Sequence, residues 1–318
     1  MREKKIGILC VQETHLTQEH EMQIESLYSR RLKVINSRDP FRPGNSAGVA
    51  FILNKEIINT TETEITEIIP GRALVMSIKW HNNERITILN TYAPNNPTKH
   101  PEFWNLISTT WLAKDLPRLD FMIGDFNLTE DALDRAPARL DNENASNALR
   151  DLKHRLDIQD TWRSMNPTSR LFTFYSNTNS YSRLDRIYTS PRHERNVHNW
   201  ESCTTAIPSD HKMISVRFVP KNAPFIGKGR WAWPLSLMND KKLFDNISNQ
   251  GIVLQQRITH QYENRIGEAN PQRTWEEFKV NITQMAKRTA KEHLYKIKVR
   301  TKQLEDDIKR TLEHGDID

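Results

Sequence analysis

Four groups of polar side chains sit at the ends of apolar runs in the first 219 residues, and no other feature of the sequence constrains its fold as tightly. Glu13 closely follows Ile6–Val11 (IGILCV), and Asn90 and Tyr92 follow Ile86–Leu89 (ITIL). Asp125 and Asn127 follow FMIG, which ends at Gly124, and Asp210 and His211 precede KMISVRF. A carboxylate at the mouth of a buried strand is costly unless a cation or hydrogen bonds compensate it. One such residue would be an ordinary cap or turn. Four groups together, all with side chains suited to Mg2+ or phosphate, call for a single site that gathers them.

The apolar runs alternate with amphipathic stretches, which predicts an α/β fold. Ile6–Val11 is apolar on both alternating faces, as a strand covered on both sides is. Gly48–Leu53, Ala73–Ile78, Ile86–Leu89, Phe121–Ile123, Arg183–Tyr188 and Met213–Val219 read as further strands. Thr17 is placed to cap a helix through about Tyr28, with Met22, Ile24, Leu27 and Tyr28 on its inner face. Pro101 opens a second helix that carries Phe103, Trp104, Ile107 and Trp111 at helical spacing. Ala145, Ala148, Leu149, Leu152 and Leu156 mark a third.

The composition changes near Pro220. Lys221–Pro234 is rich in Gly, Pro and Trp, which reads as an arm or linker over 220–234. Residues 235–318 read as mostly helical: Trp275, Phe278, Ile282 and Met285 recur at three- and four-residue steps, followed by Leu304, Ile308 and Leu312. Residues 220–318 hold 18 Lys and Arg against 13 Asp and Glu, whereas residues 1–219 hold 28 against 27. A nearly neutral first part, rich in carboxylates, fits a metal site better than a broad nucleic-acid-coating surface. The expected organisation is a catalytic-type domain over 1–219, the arm, and a helical basic extension over 235–318.

Each polar group has a chemical reading. Mg2+ prefers carboxylate oxygen and keeps several waters, so one or two acids suffice, and Glu13 is the best single ligand candidate. Asp125 and Asn127 would project to the same side of an extended segment, which places a potential base and an amide together. His211 can donate to a phosphate oxygen or a leaving group if a carboxylate holds it, and Asp185 in SRLDRIY is available for that. Asp210 would point to the other side of an extended chain, which suits it to metal or to supporting the residues that hold it. Trp104, Trp111, Trp162 and Trp200 read as core, and Trp231 and Trp233 as docked rather than stacked on nucleic acid.

QETH (Gln12–His15), NTYAPN (Asn90–Asn95), GDFN (Gly124–Asn127), SRLDRIY (Ser182–Tyr188) and SDH (Ser209–His211) occur in the order and rough spacing of the endonuclease/exonuclease/phosphatase superfamily. The chain resembles that superfamily across residues 6–219. Within it, QETHL, SAGVAFILNK, GDFNLTED, SRLDRIYTSP and PSDHKMISVRF resemble the endonuclease domains of fungal non-LTR (LINE-type) retrotransposon polyproteins, and GKGRWAWPLSL resembles the segment that leads on to their reverse transcriptase. The resemblance implies a DNase I-like α/β fold: a four-layer sandwich of two packed β-sheets flanked by helices, with the active site at one edge.

The resemblance also implies roles. Glu13 and Asp210 resemble the metal ligands, and Mg2+ is the implied cofactor, with Mn2+ as a substitute. Tyr92 resembles the tyrosine that contacts the scissile phosphate, and Asp125 the acid that activates or orients the attacking water. Asn127 resembles the amide that helps place that water, Asp185 the carboxylate that orients the histidine, and His211 the catalytic histidine. Ser182 and Arg183 resemble the segment beside the nucleic acid. The implied activity is Mg2+-dependent hydrolysis of DNA phosphodiesters, with element RNA as a further partner of the basic C-terminal region and a nuclear location.

Family members normally open with a strand carrying an Asn upstream of QETH, and here only MREKKIGILCV precedes that motif. A truncated or decayed element with weak or no activity is therefore an alternative expectation, and a phosphomonoesterase of the same fold is another. The inositol-phosphatase branch shows different segments where this chain has FMIGDFNLTED and YSRLDRIY, which favours the nuclease. Two cysteines are too few for a disulfide framework. No stretch reaches the ~18 apolar residues of a membrane span, and the N-terminal apolar run is too short for a secretory signal. The expectation is a soluble intracellular protein with no membrane partner.

Overall fold

The computed structural model describes all residues except 2–3, 81–83, 178, 206, 208, 220–230, 265–269 and 315–318, and within the last helix it leaves the side chains of 309 and 311–314 undescribed. Most of the predicted arm, with Lys228 and Arg230, therefore lies outside the described residues, as does the side chain of Leu312. The chain divides into a unit over Met1–Ala223 and a second over Pro224–Asp318.

In the first unit the chain runs β1 (Ile8–Gln12), α1 (Gln18–Tyr28), β2 (Leu32–Ser37), β3 (Val49–Asn54), β4 (Thr63–Ile69), β5 (Ala73–Lys79), β6 (Arg85–Tyr92), α2 (His100–Ala113) and β7 (Phe121–Asp125). It continues through β8 (Arg135–Ala136), α3 (Glu143–Arg155), α4 (Thr161–Met165), β9 (Phe174–Tyr175), β10 (Tyr181–Ser182), β11 (Asp185–Thr189), β12 (Val197–Cys203) and β13 (Met213–Phe218). A five-stranded sheet has the order β11-β7-β6-β5-β4, and only β6 and β7 run parallel in it. The layer facing it is in two pieces, β1-β3-β2 and β12-β13.

Alternation within the strands builds two cores. Leu74, Met76 and Ile78 of β5, Ile86 and Ile88 of β6 and Phe121 of β7 face Val49, Phe51 and Leu53 of β3, together with Ile214, Val216 and Phe218 of β13. Their alternates Val75, Leu89, Met122 and Tyr188 face the opposite way, against Phe103, Trp104, Ile107 and Trp111 of α2 and Leu149 and Leu152 of α3. Burying a side chain of this size contributes roughly 1.5–3 kcal/mol, so the five-stranded sheet, covered on both faces, is the centre of stability. Buried Asn90 fastens the two sheets, because its Nδ2 donates to Val11 O at 3.2 Å and Ala50 O at 2.9 Å while its Oδ1 accepts from Gln12 Nε2 at 2.7 Å. Its role is structural rather than part of the exposed site.

Two expectations fail in instructive ways. All of β1 is half-buried rather than covered on both sides, and among the described residues β3 is the one strand paired with it. The helix capped by Thr17 forms, and the Thr17 side chain accepts from His20 N, but none of its residues is buried. Met22, Leu27 and Tyr28 stay exposed because α1 rests along β2 at the outer surface of the sandwich.

The second unit contains a short 3-10 turn at Leu235–Asn239, α5 (Lys241–Glu263) and α6 (Pro271–His314). Leu237, Leu243 and Ala286 form its buried centre. Trp231 and Trp233 pack on each other with ring centroids 5.8 Å apart, and the Lys287 ammonium lies over the Trp231 ring. Among the described residues no helix is long and apolar enough to cross a membrane.

Candidate active site

The predicted residues meet because several strands end at one rim. Tyr92 ends β6, Asp125 ends β7 and Asp185 begins β11, and strand register sets Tyr92 beside Asp125 and Asp125 beside Asp185. Gly124 permits that packing: it lies at φ +154°, and a Cβ there would stand 1.8 Å from Thr91 O of β6. Asp185 is anchored from behind, as Leu184 N and Asp185 N both donate to Thr173 Oγ1 at 3.0 Å.

His211 reaches the rim from the segment before β13, and its Nδ1 is 2.9 Å from Asp185 Oδ2. The Phe174 ring flanks the imidazole at 4.9 Å. With Nδ1 held by the carboxylate, Nε2 is the ring nitrogen left for a substrate. Burial alone would push the imidazole down. The bond to Asp185 and the charges of Asp185, Asp125 and Asp210 reverse this and raise it to about 9.

Asp125 moves in the direction opposite to an ordinary salt-bridged acid. Burial raises its carboxyl well above the usual range, the charges of Asp185 and Glu13 add to this, and His211 and the Asn127 amide oppose it only in part. Asn127 N donates to Asp125 Oδ1 at 2.9 Å and Asn127 Nδ2 to Ala93 O at 3.0 Å. The two residues are therefore adjacent, but not through an extended segment as expected. Asn127 is left-handed at φ +46°, and the chain turns at that point.

Glu13 also sits at a positive φ, +51°, just beyond β1. Its carboxylate accepts the Tyr92 hydroxyl. Burial and then Glu13 raise the Tyr92 phenol well above its ordinary value. Asp210 is exposed, and its negative charge is felt by His211.

Three participants were not singled out in the sequence. Asn95 Oδ1 accepts from Tyr92 Oη at 3.2 Å and from Asn127 Nδ2 at 3.5 Å. The Arg72 guanidinium lies 4.9 Å from the centre of the Tyr92 ring. Phe174 carries the third contact. Asn95 was findable, because it closes the NTYAPN motif, whereas Arg72 and Phe174 come from stretches without a motif.

Ser182 and Arg183 depart from expectation. Both are buried, and Arg183 donates Nε and Nη2 to Asp134 at 2.9 and 3.0 Å and Nη2 to Asp160 at 2.5 Å. A guanidinium already forked onto two buried carboxylates is not presented to a phosphate backbone. Its position in SRLDRIY serves the interior.

The donor chemistry at the rim fits a hard divalent cation. Asp125, Asp185 and Asp210 act on one imidazole, and Glu13 acts on Asp125. Asp125 is raised first by burial and then by the neighbouring carboxylates, so a cation there would relieve a buried, crowded acid. Among the described residues no three His, Cys, Asp or Glu side chains form a ready-made metal cage.

In metal-free protein the His211 imidazole is expected to titrate near pH 9, and in Asp185→Asn it should fall toward the ordinary histidine value of 6.5. The folded value is raised, so protonation stabilises the fold fully below 6.5 and that contribution is lost as pH rises through about 9. NMR of the imidazole carbons measures both midpoints. An unchanged midpoint in Asp185→Asn would mean that Asp185 does not hold the charge.

The fold and rim define a class: an α/β sandwich with an acid-and-histidine site at the strand ends. The chain belongs to the endonuclease/exonuclease/phosphatase family, whose model matches residues 1–211. The "Transposon TX1 uncharacterized 149 kDa protein" of Xenopus laevis is 28% identical over 246 residues, which cover 76% of this chain and 18% of that protein. The chain thus spans under a fifth of that relative's length. Among solved structures, the AP endonuclease LMAP from Leishmania major is similar with a TM-score of 0.56 and 19% identity, over 69% of this chain and 80% of that one. A 3′ phosphatase, NExo, from Neisseria, bound to product DNA hairpin, is similar with a TM-score of 0.53 and 14% identity, over 67% of this chain and 88% of that one. These likenesses establish the DNase I-like fold, with packed sheets flanked by helices.

Proposed function

We propose that this chain is a Mg2+-dependent endonuclease that hydrolyses DNA phosphodiester bonds as part of a mobile element. The observation that carries the reading is the Asp185–His211 pair beside the charge-strained Asp125 and the Glu13–Tyr92 pair. The likeness to a transposon protein supports the mobile-element setting. It agrees with the retrotransposon resemblance of the motifs.

Glu13, with Asp210, would hold the Mg2+ (Mn2+ as a substitute). A bound divalent ion supplies charge neutralisation for the phosphate. His211, kept protonated by Asp185, donates from Nε2 to a phosphate oxygen as negative charge builds there. Asp125 accepts a proton from the attacking water, a role for which a raised carboxyl is suited near neutral pH. Water oxygen bonds to phosphorus while the bond to the leaving strand end breaks. Asn127, tied through its backbone N to Asp125, positions that exchange, and Tyr92 contacts the phosphate beside Glu13.

Supercoiled plasmid distinguishes the outcomes. Nicked circles are expected with Mg2+ and none with EDTA. Intact plasmid in both Mg2+ and Mn2+ would overturn the reading. Release of phosphate from a 3′-phosphorylated oligonucleotide without plasmid nicking would instead favour the phosphomonoesterase alternative.

A further inference from the structure

Phe41 is 90% exposed, more than any other large apolar side chain among the described residues. It stands on the loop between β2 and β3, and that loop is tied down by its own hydrogen bonds. Asp39 Oδ1 accepts from Phe41 N at 2.9 Å and from Arg42 N at 2.8 Å. Arg42 O in turn accepts from Asn45 N at 3.0 Å and Ser46 N at 3.1 Å. Pro40 and Pro43 fix φ on either side of the Phe41–Arg42 pair. An apolar ring held out in water by an ordered backbone has lost chain entropy without gaining burial, and a ligand that covers it supplies the missing gain.

The root of the loop sits on the rim of the site. The backbone of Arg38 and Asp39 packs on Gly71, where a Cβ would stand 2.8 Å from Asp39 N. The next residue, Arg72, donates Nη1 to Tyr92 O at 3.3 Å. At the other end of the loop Gly48 O accepts from Thr14 N at 3.2 Å, one residue beyond Glu13. Phe41 therefore rises from the flank of the site that holds Glu13 and Tyr92, with the exposed Arg42 next in the chain. Resting on the nuclease reading above, we propose that Phe41 stacks on a nucleobase of the substrate near the scissile phosphate, while Arg42 takes an adjacent backbone phosphate. An aromatic face with a cation next to it fits an unstacked base and its phosphate. A regular duplex keeps its base faces covered, so the loop selects DNA in which a base at that position leaves the stack easily.

The test titrates the full chain in EDTA with a short duplex and with the same duplex carrying a single unpaired base, and follows nicking of both in Mg2+. Wild type is expected to bind the second about tenfold more tightly, the scale of one base–aromatic stack. Phe41→Ala should abolish that preference, and the loss in nicking should appear in KM rather than in kcat. Phe41→Trp should keep the preference. Arg42→Ala should lower the log–log salt slope of binding by about one for both duplexes. Because Phe41 is exposed, its two substitutions should leave the thermal midpoint in place, which separates the effect from damage to the fold. Equal affinity of Phe41→Ala and wild type for the unpaired-base duplex overturns the proposal, whether or not the chain nicks. A Phe41-dependent preference in a chain that does not nick would support the stacking contact and sink the nuclease reading instead.

Discussion

His211→Ala is expected to lower Mg2+-dependent nicking by about 10³-fold or more, in line with the loss of a positioned proton donor together with its electrostatic stabilisation. Asp125→Asn should cost a comparable factor. The double variant should fall little further, because one residue serves the proton and the other the charge of the same transition state, and removing either disables the unit. Single-turnover rates on a nickable duplex measure all three. A double variant whose loss equals the product of the singles would mean that the two act independently. A second effect separates this from damage to the fold. Asp125 ionises against burial and against Asp185 and Glu13, so Asp125→Asn should raise the thermal midpoint of metal-free protein while abolishing activity.

The elements that were legible in the sequence are those whose apolar pattern is decided locally. α2 shows Phe103, Trp104, Ile107 and Trp111 at helical spacing, and all four are buried. β5 and β6 are near-continuous apolar runs because both faces of the central sheet are covered. β4 (TEITEII) and β12 (VHNWESC) were not read as strands. Each lies at the end of its sheet, so polar residues are tolerated there and the alternation is blurred. The exposure of α1 was equally hidden, since Met22, Leu27 and Tyr28 look like an inner face whether or not a sheet lies beneath them.

The rim was legible for a different reason. Glu13, Tyr92, Asp125 and His211 end or precede strands, and polar groups there are uneconomical unless they share a purpose. What the pattern could not supply was direction. Arg183 and Asp185 sit two positions apart in SRLDRIY, and only packing reveals that one points into the interior and the other to the rim. The positive φ of Asn127 was also beyond reach, because it is fixed by the turn that follows β7 rather than by the residue itself.

That interior is where the largest stability effect is expected. Asp134 is 1% exposed and accepts from Arg183 at 2.9 and 3.0 Å and from Arg163, with Arg186 Nη2 3.8 Å away. Asp134→Ala would leave three guanidinium groups around one buried void, with Asp160 the remaining acid against Arg183. Removing one partner of a buried ionic group typically costs ~3–5 kcal/mol, because the charges left behind keep their desolvation penalty. For a unit of this size that corresponds to a fall of roughly 6–20 °C in the thermal midpoint. Nicking should decline as well, since Arg183 N donates to Asp134 O at 2.8 Å and the same short segment delivers Asp185 to His211. Arg183→Met separates this from the expected DNA contact. An interior role predicts a lowered urea midpoint and, in the protein that remains folded, an unchanged salt dependence of DNA binding, whereas each lost phosphate contact would reduce the log–log salt slope by about one. An unchanged urea midpoint together with a shallower salt slope would return Arg183 to the nucleic-acid surface.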